Sequence, residues 1–162
     1  MKPTHGRTIL AGIAGGVAMN LTMLLTFRLL GFGWNGEGIL IRSSLQSKKL
    51  IAVWTELEPV PLVVNTPAPI IIGIVGFGVI HAYLFRGLST AFSGGRIKQG
   101  LKFAGLVFVM TSLFWEFFTP FNLFGEPLPL IALELVFWAC IAASDGLVLA
   151  AMIGRKKSST MP

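Results

Sequence analysis

The sequence predicts an all-α membrane protein: a four-transmembrane-helix bundle with a longer loop between helices 1 and 2, forming one integral membrane domain over residues 1–162. Three observations predict it. Four apolar runs can each supply the roughly 20 residues that a hydrocarbon core of about 30 Å requires. The composition is 54% hydrophobic and only 12% charged, with a mean hydropathy of +0.77, which is too apolar for an ordinary soluble domain. Lysines and arginines gather at the ends of the runs rather than along them.

The first span is expected at residues 8–30. Lys2 and Arg7 precede it as they would precede a signal peptide, but the run is long and lacks a clear small-residue cleavage site, so it reads as retained. A long connection follows, residues 31–68, in which Ile39–Glu58 mixes apolar residues with Arg42, Lys48 and Lys49 between Trp34 and Trp54. Such a segment either caps the bundle or lies on the bilayer surface. Pro59, Pro61, Pro67 and Pro69 end it, and the second span runs over 69–88. The third span is expected at 101–119 and the fourth at 128–153, joined by a proline-rich break from Pro120 to Pro129 that makes them an antiparallel hairpin.

Orientation follows from the basic residues. Lys2 and Arg7, then Arg86, Arg96, Lys98 and Lys102, then Arg155, Lys156 and Lys157 all fall on one side of a four-span chain. The positive-inside rule places both termini in the cytoplasm. This arrangement accounts for the net charge of +6 without a basic nucleic-acid-binding face. The lone cysteine, Cys140, lies inside an apolar run, which leaves no disulfide framework and no CxxC motif.

Ionisable residues inside the spans form the candidate site. Counted from the cytoplasmic ends at about 1.5 Å per residue, His81 and Asp145 fall near about 10 Å, Asn20 near about 16 Å, Glu116 near about 21 Å, and Glu134 and Arg28 near about 27 Å. Two polar layers result. In one, Asp145 is expected to pair with His81; in the other, Arg28 can neutralise Glu116 or Glu134 but not both. A charge in hydrocarbon costs at least about 2.5 kcal/mol, so these groups need partners, protons or water. Helical phase puts Lys102, Gly105, Ser112, Glu116 and Thr119 on one stripe of the third span and turns Glu134 and Asp145 inward on the fourth. Phe103, Phe108, Phe114, Phe117, Phe118, Leu135, Phe137 and Leu147 are then expected toward lipid.

Small residues mark a packing seam. Gly12 and Gly16 lead to Asn20 at a spacing of four, and Ala142, Gly146, Ala150 and Gly154 repeat that spacing on the fourth span. Ridges of this kind serve contacts within one chain and between chains, so a protein partner or self-association is expected beside the lipid bilayer.

Catalytic and metal motifs are not recognisable. No serine, histidine and carboxylate set suggests a triad, and the Glu-x-x-His repeat of helical di-metal sites does not occur. His81 has no second intramembrane axial ligand for a haem, and the Asn20-Leu21-Thr22 sequon lies within a span. Three functional classes fit: a subunit or assembly partner of a larger membrane complex, an oligomeric proton- or cation-coupled carrier or channel, and a membrane protein holding a quinone, lipid or pigment. No particular cofactor is implied.

Overall fold

The computed structural model describes residues 3–155; Lys2, Lys156 and Lys157 lie outside them. Four helices are long and apolar enough to cross a membrane: α1, His5–Phe32; α5, Ala68–Leu88; α6, Arg96–Phe124; and α7, Leu128–Ile153. Three short helices occupy the long connection: α2, Ile39–Arg42; α3, Lys48–Thr55; and α4, Leu62–Asn65. No strand occurs among the described residues. The chain is therefore all-helical, and its helices suggest a multi-pass membrane protein.

The long helices pack in the spatial order α5, α1, α7, α6. Small residues set this order, because two backbones approach closely only where side chains are short. Gly12 and Gly16 of α1 lie against Gly78, Val79 and Val75 of α5, while Gly146 of α7 faces Gly100 and Ala104 of α6, with Ala150 also beside Gly100. Both small-residue ridges are thus filled within the chain. With a neighbour on each side, α7 buries 44% of its most apolar stretch, against 17% for α5. Near one end α5 and α6 also meet, with Phe85 and Phe103 edge to face at 5.4 Å.

That end, here the terminal end, holds the start of α1 and the end of α7 and is tied by donors to the last carbonyls of α7. Helix C-termini leave carbonyls without intrahelical partners, and cationic or amide donors satisfy them. Arg7 of α1 reaches Met152 O through Nε (3.0 Å) and Nη2 (2.6 Å), Arg96 reaches Gly154 O, and Gln99 exchanges hydrogen bonds with Arg155.

The opposite end, here the loop end, is capped by residues 33–67. Leu40 is fully buried against Phe27, Leu130, Leu133 and Phe137, and Leu50 is buried too. The connection therefore docks onto the long helices.

The structure departs from the sequence expectations in three places. Helix α6 begins at Arg96 and runs through Pro120 to Phe124, because wide π turns at Phe108–Leu113 and Phe117–Phe121 absorb the missing proline N–H. It ends where Gly125 turns left-handed (φ 66°), its N–H reaching Phe121 O while the Glu126 N–H reaches Pro120 O. Second, Lys102 and Gly105 are exposed, whereas Phe103 and Ala104 are buried; the widened turns above them shift the inward stripe. Third, Phe137 and Phe103 are buried rather than lipid-facing, because Phe137 fills the space beneath Leu40 and Phe103 packs edge to face on Phe85.

Candidate functional site

The polar side chains of the bundle separate into two clusters joined along α7. Near the terminal end, His81 of α5 meets Asp145 of α7, with Nδ1 2.7 Å from Oδ2. Gly15 of α1 makes room for this pair: a side chain there would collide with Asp145 Oδ1. Oδ1 is buried without a hydrogen-bond donor. The His81 ring stands edge-on to Phe103 at 5.9 Å, so the pair sits in an aromatic wall. Asn20 belongs to neither cluster; its Nδ2 donates to Gly16 O and Ile71 O and pins α1 to α5.

Toward the loop end, carboxyl groups from three elements converge. Glu116 comes from α6, Glu134 from α7, and Glu126 from the turn between them. Glu116 and Glu134 are both buried on facing helices, and Trp138 of α7 links the two elements at this level. Trp138, one turn beyond Glu134 on α7, donates its Nε1–H to Glu116 Oε1. Gln46 of the capping loop donates to Glu126 Oε1 at 2.6 Å and to Leu40 O at 3.1 Å. Burial pushes the Glu126 carboxyl above its ordinary range; the Gln46 hydrogen bond pulls it partly back, and the negative potential of Glu116 raises it further.

All three carboxyl groups are enclosed by the chain itself, with exposures of 1% for Glu116, 1% for Glu126 and 7% for Glu134. Glu116 Oε2 and Glu126 Oε2 have no hydrogen-bond donor. Arg28 does not neutralise them. Its guanidinium turns back to Gly33 O (3.1 Å) and Trp34 O (3.0 Å) and lies over the Trp34 ring at 5.2 Å. The reason is local: Arg28 sits at the end of α1, where unpaired carbonyls and an aromatic face are nearer than any carboxylate. Among the described residues, the ion pair is that of His81 with Asp145.

The capping loop seals the cluster. Beside Gln46, Ser47 Oγ donates to Phe124 O and Lys49 Nζ to Leu123 O at 2.6 Å, so the last carbonyls of α6 are held by the loop above Glu126. Between the clusters α7 presents Phe137, Ile141 and Ala142, all buried. The eleven residues from Glu134 to Asp145 span about 16 Å of helix, so an apolar barrier separates the two polar stations.

Of the six residues singled out from the sequence, His81, Asp145, Glu116 and Glu134 fall in the two clusters while Asn20 and Arg28 do not, and sequence reasoning missed Glu126, Gln46 and Trp138. Glu126 had a readable signal, since the connection between α6 and α7 is too short to carry a charge clear of the bundle. Gln46 had none, being one polar residue in a polar loop. Among the described residues no three His, Cys, Asp or Glu side chains converge in a way that could hold a metal ion, so the acids form a string rather than a chelate. No protein-family model, no curated protein and no solved structure matches the chain.

Proposed function

We propose that this protein is a proton-coupled membrane carrier in which Glu116, Glu126 and Glu134 hold protons on one side of an apolar barrier and His81 with Asp145 holds them on the other. One observation carries the reading: three carboxyl groups are enclosed within the chain and no cationic side chain reaches them. Carboxylates in such a place need protons or mobile cations, and intramembrane acids of this kind mark proton and ion pathways. A cation supplied by a partner chain fits less well, because groups this buried are out of reach of an external side chain. The apolar stretch at Phe137, Ile141 and Ala142 favours a carrier that moves between states over an open channel. The basic residues at the terminal end put both termini in the cytoplasm, with the carboxyl cluster toward the other face.

The test is proton uptake into proteoliposomes that carry a pH-sensitive dye, after an external acid jump. Wild-type protein is expected to acidify the lumen, and Glu116→Gln or Glu134→Gln to reduce the rate to that of empty vesicles while still inserting and folding. Wild-type rates in both variants would overturn the reading.

A second reading, a subunit of a larger membrane complex, is favoured by α5. Gly73 and Gly76 have open space where a side chain would stand, beside the exposed Ile72 and Phe77. This small-residue face is not used within the chain and suits a second helix. Native mass spectrometry of protein extracted from its own membrane decides between the readings: foreign chains at fixed stoichiometry support the subunit, and their absence leaves the carrier.

A further inference from the structure

The loop end carries a feature that the carboxyl cluster does not use. Helix α2 and the turn after it stand beside the first turns of α7, flanking an open surface depression of about 370 Å³. Its polar lining is Arg42, Ser43 and Ser44, and its apolar lining includes Leu45, Leu130 and Leu133. Pockets for small molecules typically run from about 300 to 1,000 Å³.

Three properties define what fits. Arg42 is exposed, and the ion pair among the described residues lies elsewhere, between His81 and Asp145. Arg28 and Lys49 are committed to carbonyls, Arg28 to Gly33 and Trp34 and Lys49 to Leu123, and Lys48 stands outside the pocket lining. Arg42 thus offers a planar fork of donors, the arrangement that matches phosphate oxygens in pairs, with the Ser44 hydroxyl alongside. The pocket also lies at the right height: Leu130 and Leu133 sit about 3 to 8 Å into α7, so the pocket spans the boundary between polar and hydrocarbon zones. The Trp34 and Trp54 rings at this end mark the same boundary.

We propose that this pocket is a binding site for an anionic phospholipid, with the headgroup phosphate on Arg42 and Ser44 and an acyl chain along Leu130 and Leu133. The combination of a cation and hydroxyls above an apolar wall is complementary to that one molecule, charged at the top and apolar below. A negatively charged headgroup is preferred to a zwitterionic one, whose ammonium would meet the Arg42 guanidinium.

The experiment is native mass spectrometry of the full chain in an uncharged detergent, titrated with phosphatidylglycerol or phosphatidylcholine. One phosphatidylglycerol per chain is expected to persist at activation that strips phosphatidylcholine. Arg42→Gln should weaken retention by about fivefold or more, the effect of one basic group at an anionic surface. Lys48→Gln removes the same charge from the same segment outside the pocket and should leave retention unchanged; both side chains are exposed, so both variants keep the fold. Equal loss in the two variants would reduce the effect to diffuse charge and overturn the site. So would equal retention of the two lipids, unchanged retention in Arg42→Gln, or displacement of the lipid by inorganic phosphate, which would identify a free-anion site.

Discussion

The bond between His81 and Asp145 is the best place to measure what a buried polar contact contributes to this bundle. The perturbation is a double-mutant cycle: His81→Ala, Asp145→Ala and the pair. A neutral hydrogen bond between membrane helices contributes about 0.6 kcal/mol on average and at most about 1.7 kcal/mol. At 2.7 Å, between an imidazole and a carboxylate, the bond is charge-assisted and about twice as strong as a neutral one. The expected coupling is therefore about 1.2 to 3 kcal/mol, the upper figure being the usual limit for side chains in one network. The two single variants should also differ. His81→Ala leaves Asp145 enclosed, at 1% exposure and with neither oxygen bonded, which costs about 3 to 5 kcal/mol when a buried charge loses its partner. Asp145→Ala leaves a histidine at 13% exposure, closer to the surface of the bundle and able to find another acceptor or water, so it should cost less. Unfolding by sodium dodecyl sulfate in mixed micelles, followed by circular dichroism, gives all four free energies. A coupling below about 0.5 kcal/mol would mean additive, independent sites and would refute the bond. Greater destabilisation by Asp145→Ala than by His81→Ala would refute the assignment of the carboxylate as the more dependent partner.

The same titration checks the packing order. In Gly78→Ala the new Cβ would meet Gly16 N at 2.5 Å and Gly16 Cα at 2.7 Å, both backbone atoms, so a loss of about 1 to 3 kcal/mol is expected; Gly76→Ala enters open space and should be neutral or stabilise by up to about 1 kcal/mol. Equal effects of the two substitutions would contradict the α1–α5 contact. Glu126 gives a pH signature. Because burial raises its folded value above the ordinary 4.5, the folded chain holds this proton where the unfolded chain has lost it, so the stability contributed at Glu126 is full below about pH 4.5 and falls as the pH rises toward the folded value. Glu126→Gln should flatten that fall relative to wild type while keeping the Gln46 contact, and identical pH slopes in the two proteins would exclude the raised carboxyl.

The four long helices were legible because apolar length is a one-dimensional property. About 20 apolar residues must be helical to cross a bilayer, whatever they pack against. The helix ends were less legible where helix continued through residues that ordinarily stop it. Pro120 stands inside α6 because π turns on either side of Glu116 accommodate its missing donor, and the π segment Leu24–Phe32 carries α1 to the capping loop. Arg28 was misread for a related reason: depth counting put it level with Glu134, but the carbonyls of its own helix end were nearer partners.

Height and direction are recovered from a sequence with very different accuracy. Height grows by about 1.5 Å per residue, so a miscount of one residue barely moves a group between layers, and the pairing of His81 with Asp145 survived that error. Direction turns by about 100° per residue, so the same miscount swings a side chain from the core to lipid. The wide turns at Phe108–Leu113 do this on α6, widening each turn by close to one residue through their i→i+5 bonds. Ser112, Glu116 and Thr119, within or beyond the π segment, are buried, whereas Lys102 and Gly105, before it, are exposed and Phe103 and Ala104 are buried in their place. A polar site above a π segment and a packing seam below it can therefore share one helix without sharing one helical phase, which is how α6 presents Glu116 to Trp138 and Gly100 to Gly146 along the same neighbour.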